Sequence, residues 1–197
     1  MSALDRGLVR VFPALLGLAG LLVAIGFVLP SHTGPATAAG FRPLAAPAKP
    51  VRLIVPSLKI RAPIQPIEVN AQAVLDPPRN PRDVGWWQRS ARPGTDGGQT
   101  VLTGHTVHTG GGVMDRLGSM KRGQVVRVRT PKGLMVYRTT RVVTWSKAEL
   151  ARQATAIFDQ KRAGNRLVLI TCSGWTGSEY RDNVVVFARP LGVRESV

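Results

Sequence analysis

The stretch Val125-Val126-Arg127-Val128-Arg129-Thr130-Pro131-Lys132-Gly133-Leu134-Met135-Val136-Tyr137 decides how this chain folds. Two runs rich in β-branched residues flank Pro131-Lys132-Gly133. Branching at Cβ crowds a helix and packs well on a pleated strand. Pro and Gly between such runs supply the backbone angles of a tight turn. The segment therefore predicts strands over 125–129 and 134–145, joined as a hairpin.

The same pattern recurs outward in both directions. Val51–Val55, Thr100–Thr103 after the Gly97-Gly98 turn, Leu167–Thr171 and Asn183–Ala188 are short apolar runs bounded by turn residues. Such a series predicts a sandwich or barrel. Two segments read as helices: a short one near 113–120, and 147–156 with Ser146 as its N-cap. The expected domain, 51–197, is a mostly-β barrel with two short helices.

A length of 197 residues fits one domain with additional segments. Hydrophobic residues make up 44%, enough to build a core, which excludes a disordered tail. The net charge is +16, from 21 Arg and 6 Lys against 11 acidic residues. That excess admits nucleic acid or an anionic surface as partner. A nucleic-acid reader gathers its charge on one helix or stripe, whereas Arg and Lys here are spread through strands and loops. Nucleic acid is not an expected partner.

Arg6 and Arg10 precede Val11–Leu29, an uncharged run of 19 residues. As a helix it spans roughly 28 Å, close to the hydrocarbon thickness of a bilayer. Signal peptides carry a shorter apolar stretch, of about 7–15 residues. The run is therefore read as an uncleaved transmembrane anchor over 1–29, although Ala36-Thr37-Ala38 resembles a small-residue cleavage site. No Lys or Arg lies between Pro30 and Phe41, so the positive-inside rule puts the N-terminus in the cytoplasm and the domain outside. Residues 30–50 hold five prolines and six alanines and read as a stalk.

Cys172 is the only cysteine, so no internal disulfide can form. It is either a buried bystander or a reactive thiol. Its neighbours decide between these. His105 follows the 100–103 strand within Thr103-Gly104-His105-Thr106-Val107-His108, Cys172 ends the 167–171 strand, and Arg181 begins the next. A barrel can bring three such strand edges to one rim, where loops carry function.

Leu169-Ile170-Thr171-Cys172 resembles the Thr-Leu-X-Thr-Cys signature of the sortases, with Val168 where the signature begins with Thr. Gly104-His105 is similar to that family's histidine element, and Arg181 falls at its arginine position. Val84-Gly85-Trp86-Trp87, Leu102–His105 and Tyr180–Ala188 are most similar to the class F sortases of actinobacteria; the likeness covers about 51–190. The resemblance implies a closed barrel and a membrane-anchored cysteine transpeptidase that needs no cofactor or metal. Cys172 is the expected nucleophile, His105 the acid/base and Arg181 the transition-state stabiliser. Thr171 and Trp175 are candidates for contact with the peptide. The expected substrates are a surface protein with a C-terminal Leu-Pro-X-Thr-Gly-like motif, cut between Thr and Gly, and an amino group of a peptidoglycan precursor.

Two other readings compete. L,D-transpeptidases are also β-rich with His before Cys, but their cysteine follows Ser-His-Gly, and here Ile170-Thr171 precedes it. A non-catalytic, wall-binding module would use the positive charge and leave Cys172 idle. His105 and His108 could form a His-X-X-His metal pair with Asp115 or Cys172, a weak pattern without further ligand spacing, and His108 otherwise reads as a solvated loop residue.

Overall fold

The computed structural model describes residues 39–71 and 74–194; the expected anchor at 11–29 and residues 30–38 of the expected stalk lie outside them. In chain order the strands are β1 (Phe41–Arg42), β2 (Arg52–Val55), β3 (Ile60–Ile67), β4 (Val84–Trp87), β5 (Gln99–Gly104), β6 (Val125–Thr130), β7 (Gly133–Ser146), β8 (Arg166–Trp175) and β9 (Tyr180–Arg194). Helices α1 (Lys147–Arg152) and α2 (Ala154–Phe158) lie between β7 and β8. Around the sheet the order is β9-β7-β6-β2-β3-β4-β5-β8, and β8 pairs back onto β9. The barrel is closed by eight strands, and β1 adds to the far end of β9. Among the described residues no helix is long and apolar enough to cross a membrane.

The β6–β7 hairpin is as read, with Thr130 opposite Gly133 across the turn. The β3 strand escapes the sequence reading because it contains Pro63 and Pro66. Proline cannot donate to a ladder and normally avoids central strands. Here residues 60–63 pair with β2 and residues 64–67 with β4, so each half has a neighbour on one side only. Ile60, Ala62 and Ile64 still alternate inward.

Two expectations need correction. The segment 113–120 forms turns, with a single 3-10 turn at Leu117–Ser119 in place of a helix. Its buried residues, Met114, Leu117 and Met120, are spaced by three, which suits the tighter turn better than a 3.6-residue period. The stalk also ends earlier than position 50. Phe41 and Arg42 pair with Arg194 and Val193, and Leu44 and Ala48 are buried. A Pro/Ala-rich segment builds no core of its own, yet it can be laid against an existing one.

The apolar side chains fall into two clusters. One fills the barrel: Leu53, Val55, Leu102, Val128, Leu167 and Leu169 are fully enclosed there. The other lies outside the wall, where Val101, Val168, Ile170, Val185 and Phe187 are covered by Ile157, Leu150 and Phe158 of the helices. Leu150 on α1 and Ile157 on α2 both pack against the sheet. The Ser146 hydroxyl accepts from the Glu149 N–H at 3.1 Å, the expected N-cap. Two small helices thus roof the outer face of β5, β8 and β9.

Candidate active site

Strand parity places the three candidate side chains. In β8, Leu167 and Leu169 point into the barrel while Val168 and Ile170 point outward, so Cys172 points outward as well. Cys172 lies inside the strand rather than at its end and pairs with Asn183 of β9. Asn183 and, two residues before it, Arg181 therefore share its face. On the other side β5 runs parallel to β8, with Thr103 opposite Ile170. His105 is the first residue after β5, and the Gly104 carbonyl before it is bonded to Thr171, the residue before Cys172. His105 thus follows β5, Cys172 lies on β8 and Arg181 on β9, three neighbouring strands.

The ends of β5 and β8 are tied together. The Thr171 hydroxyl donates to the Gly104 carbonyl at 2.8 Å and lies 2.8 Å from the Thr106 hydroxyl. The Thr171 side chain is buried and bonded to these partners, which ties the strand ends, and the residue also lines the groove beside Cys172. Gly104 is glycine for a steric reason: a Cβ there would lie 2.7 Å from Val113 Cγ1 and 2.9 Å from Met114 Cγ. His105 Nε2 lies 2.9 Å from the Pro78 carbonyl. A carbonyl only accepts, so Nε2 carries a proton.

Cys172 opens into a groove of about 450 Å³. One wall is α1 and α2, through Lys147, Leu150, Ala154 and Phe158; another is the segment Val74–Pro77; the floor includes Thr103 and Ile170. Partial desolvation pushes the thiol above its ordinary pKa, and the Lys147 ammonium pulls it the other way. Lys147 also pairs with Glu179 at 2.8 Å. Removing the ammonium leaves desolvation unopposed, so Lys147→Ala is expected to move the pH profile of Cys172 alkylation to higher pH. An unchanged profile would show that the ammonium does not act on the thiol.

Trp175 is not among the residues lining this groove. Its ring stacks on His108, centroids 4.1 Å apart and 2° from parallel, and tilts against Tyr180 at 5.0 Å. The expectation that Trp175 lines the groove beside the thiol is therefore corrected. His108 is correspondingly an aromatic partner rather than a merely solvated loop residue. Asp115 accepts from the N–H groups of Val107 and Gly112, at 2.7 and 3.0 Å, and holds the loop between them.

Three groove residues were missed from the sequence: Lys147, Asn183 and Asp76. Asn183 was within reach, because strand alternation from Arg181 puts it on the same face. Lys147 and Asp76 carry no local signal.

A sortase domain model matches residues 53–191. No curated protein sequence matches the chain. Among solved structures, the chain is similar to sortase C-1 from Actinomyces oris, at 21% identity and TM-score 0.56, covering 72% of this chain and 74% of that one. Sortase A from Corynebacterium diphtheriae matches at 16% identity and TM-score 0.59, covering 78% and 65%. A pilus-related sortase C of Group B Streptococcus matches at 15% and 0.57, covering 75% and 69%. These are sortases A and C, so the likeness to class F rests on the sequence motifs alone. The structures carry the fold and the domain match carries the family: this chain belongs to the sortases, the cysteine transpeptidases.

Proposed function

We propose that the chain is a sortase of the class F type that cuts a C-terminal Leu-Pro-X-Thr-Gly-like motif between Thr and Gly. It then joins the surface protein to an amino group of a peptidoglycan precursor. The observation that carries this reading is the placement of His105 just after β5, Cys172 on β8 and Arg181 on β9, neighbouring strands, with Cys172 opening into an apolar groove. Leu75, Leu150, Phe158 and Ile170 suit the Leu and Pro side chains of such a motif. Cys172 as thiolate attacks the Thr carbonyl carbon, and the tetrahedral oxyanion meets the planar donor fork of Arg181. Imidazolium at His105 protonates the departing Gly nitrogen, the C–N bond breaks, and a thioester remains. The incoming amine loses a proton to His105, displaces the thiolate and forms the new amide.

The same reading places the chain at the cell membrane, held by Val11–Leu29 with its N-terminus in the cytoplasm and its catalytic domain outside. The test is intact-protein mass spectrometry with a panel of sorting-motif peptides, with and without an amine acceptor. A thioester adduct that turns into the amide on adding amine supports the proposal. Arg181→Ala is expected to slow acylation by about 10²–10³-fold, the usual loss for one oxyanion donor. No adduct with any peptide of the panel overturns the substrate reading.

A further inference from the structure

The wall of the barrel away from Cys172 carries a second, differently built surface. On the outer face of the adjoining strands β3, β2, β6, β7 and β9 lie Arg61, Arg52, Arg127, Arg129, Arg138 and Arg189. Their strand neighbours Leu53, Val126, Val128, Tyr137 and Ala188 fill the interior, which fixes the arginines outward. Four of the six, Arg61, Arg129, Arg138 and Arg189, are exposed.

Like charges sit directly opposite one another on this face. Arg52 pairs in register with Arg129, and Arg138 with Arg189; Ile54 lies between Arg61 and Arg127. Directly opposed like charges weaken a sheet. Among the described residues β2, β3, β6 and β7 contain no Asp or Glu, and the one acidic residue of β9, Asp182, lies seven positions from Arg189. Among the described residues, none of the six arginines makes an ion pair; those present join Arg89 to Glu68, Lys147 to Glu179 and Arg152 to Glu149. A face charged at this cost to the fold, and left without carboxylates, fits an external anion.

Two features select which anion. The face is broad, five strands or roughly 20 Å across, and suits a surface better than a single strand of polymer. It also holds an apolar groove of about 430 Å³, with Phe41, Leu134, Val136 and Leu191 among its lining and Arg127, Arg138 and Arg194 around it. Apolar side chains flanked by guanidinium groups match an interface where anionic headgroups overlie hydrocarbon. Phe41 is moreover only twelve residues beyond Leu29, the end of the apolar run, so the extended chain spans at most about 40 Å between them.

We infer that this arginine face docks on the anionic phospholipid surface of a bilayer. Docking there leaves the groove over Cys172 on the opposite arc of the barrel, open to substrate. The inference does not depend on the transpeptidase reading.

The test uses the full chain in proteoliposomes of either phosphatidylcholine alone or phosphatidylcholine with phosphatidylglycerol. An arginine-selective dicarbonyl reagent is applied and each arginine is read by peptide mass spectrometry. In anionic vesicles, modification of Arg129, Arg138 and Arg189 is expected to slow about fivefold, the factor equivalent to about 1 kcal/mol per arginine at such a surface. Arg82 and Arg116, in loops elsewhere, should change less than about twofold, and high salt should remove the protection. The triple variant R52Q/R127Q/R129Q should lose the protection of Arg138 and Arg189. Equal rates in both vesicle types overturn the inference. So does equal slowing at Arg82 and Arg116, which would mean indiscriminate adsorption. Protection of the same residues by soluble polyphosphate in neutral vesicles overturns it too, because the face would then be a general polyanion site.

Discussion

Cys172→Ala is expected to abolish covalent capture of a sorting-motif peptide and to lower transpeptidation by about 10⁴-fold or more, the scale of loss when a nucleophile is removed. Cys172 is the only thiol, so a thioester has one possible address. It is held on a strand paired on both sides, by β5 and by β9, and opens into the groove. Cys172→Ser should recover little, because a hydroxyl is far less ionised than a thiol near neutral pH. Desolvation raises the thiol and the Lys147 ammonium opposes it. Acylation by the wild type should therefore rise with pH as the thiol ionises. The measurement is adduct formation by intact mass, together with steady-state transfer to an amine. Wild-type turnover by Cys172→Ala would make Cys172 structural and favour the non-catalytic module.

His105→Ala should cost about 10²–10⁴-fold, the range for loss of a general acid/base, while His108→Ala keeps most of the activity. Both residues follow the same strand, yet the fold separates them. His105 follows β5 directly and its Nε2 lies against the Pro78 carbonyl, whereas His108 is stacked on Trp175. The discriminating readout is the split between acylation rate and thioester resolution for each variant. Comparable losses at both positions would mean a shared role for the two imidazoles.

Much of this was legible from residue types alone. Runs such as Val125–Arg129 and Leu167–Thr171 announce strands because β-branching acts locally, within the residue itself. The Gly-His, Thr-Cys and Arg motifs announce the site because the chemistry needs those groups. What stayed hidden depends on partners distant in sequence. Pro63 and Pro66 argue against a strand unless the chain is known to change neighbours between them. Leu44 reads as stalk until Gly94 and Gly133 are seen to approach it. Trp175 follows Cys172 by three residues, but its stacking on His108 of a distant loop leaves no mark in the local sequence. Lys147 reaches the thiol only because α1 folds back over β8.

The seam between β5 and β8 has a consequence for the order of assembly. Gly104 and Thr171, which close it, are 67 residues apart in sequence, whereas Thr130 and Gly133 close the β6–β7 hairpin across three. Pairings between near neighbours form quickly, and those that must first close a long loop form late. The strand that carries the thiol thus gains its β5 neighbour only after a long loop has closed, later than the local hairpins. A nascent or partly folded chain carries Cys172 as an ordinary thiol, and its reactivity toward substrate reports that the β5–β8 pairing is complete.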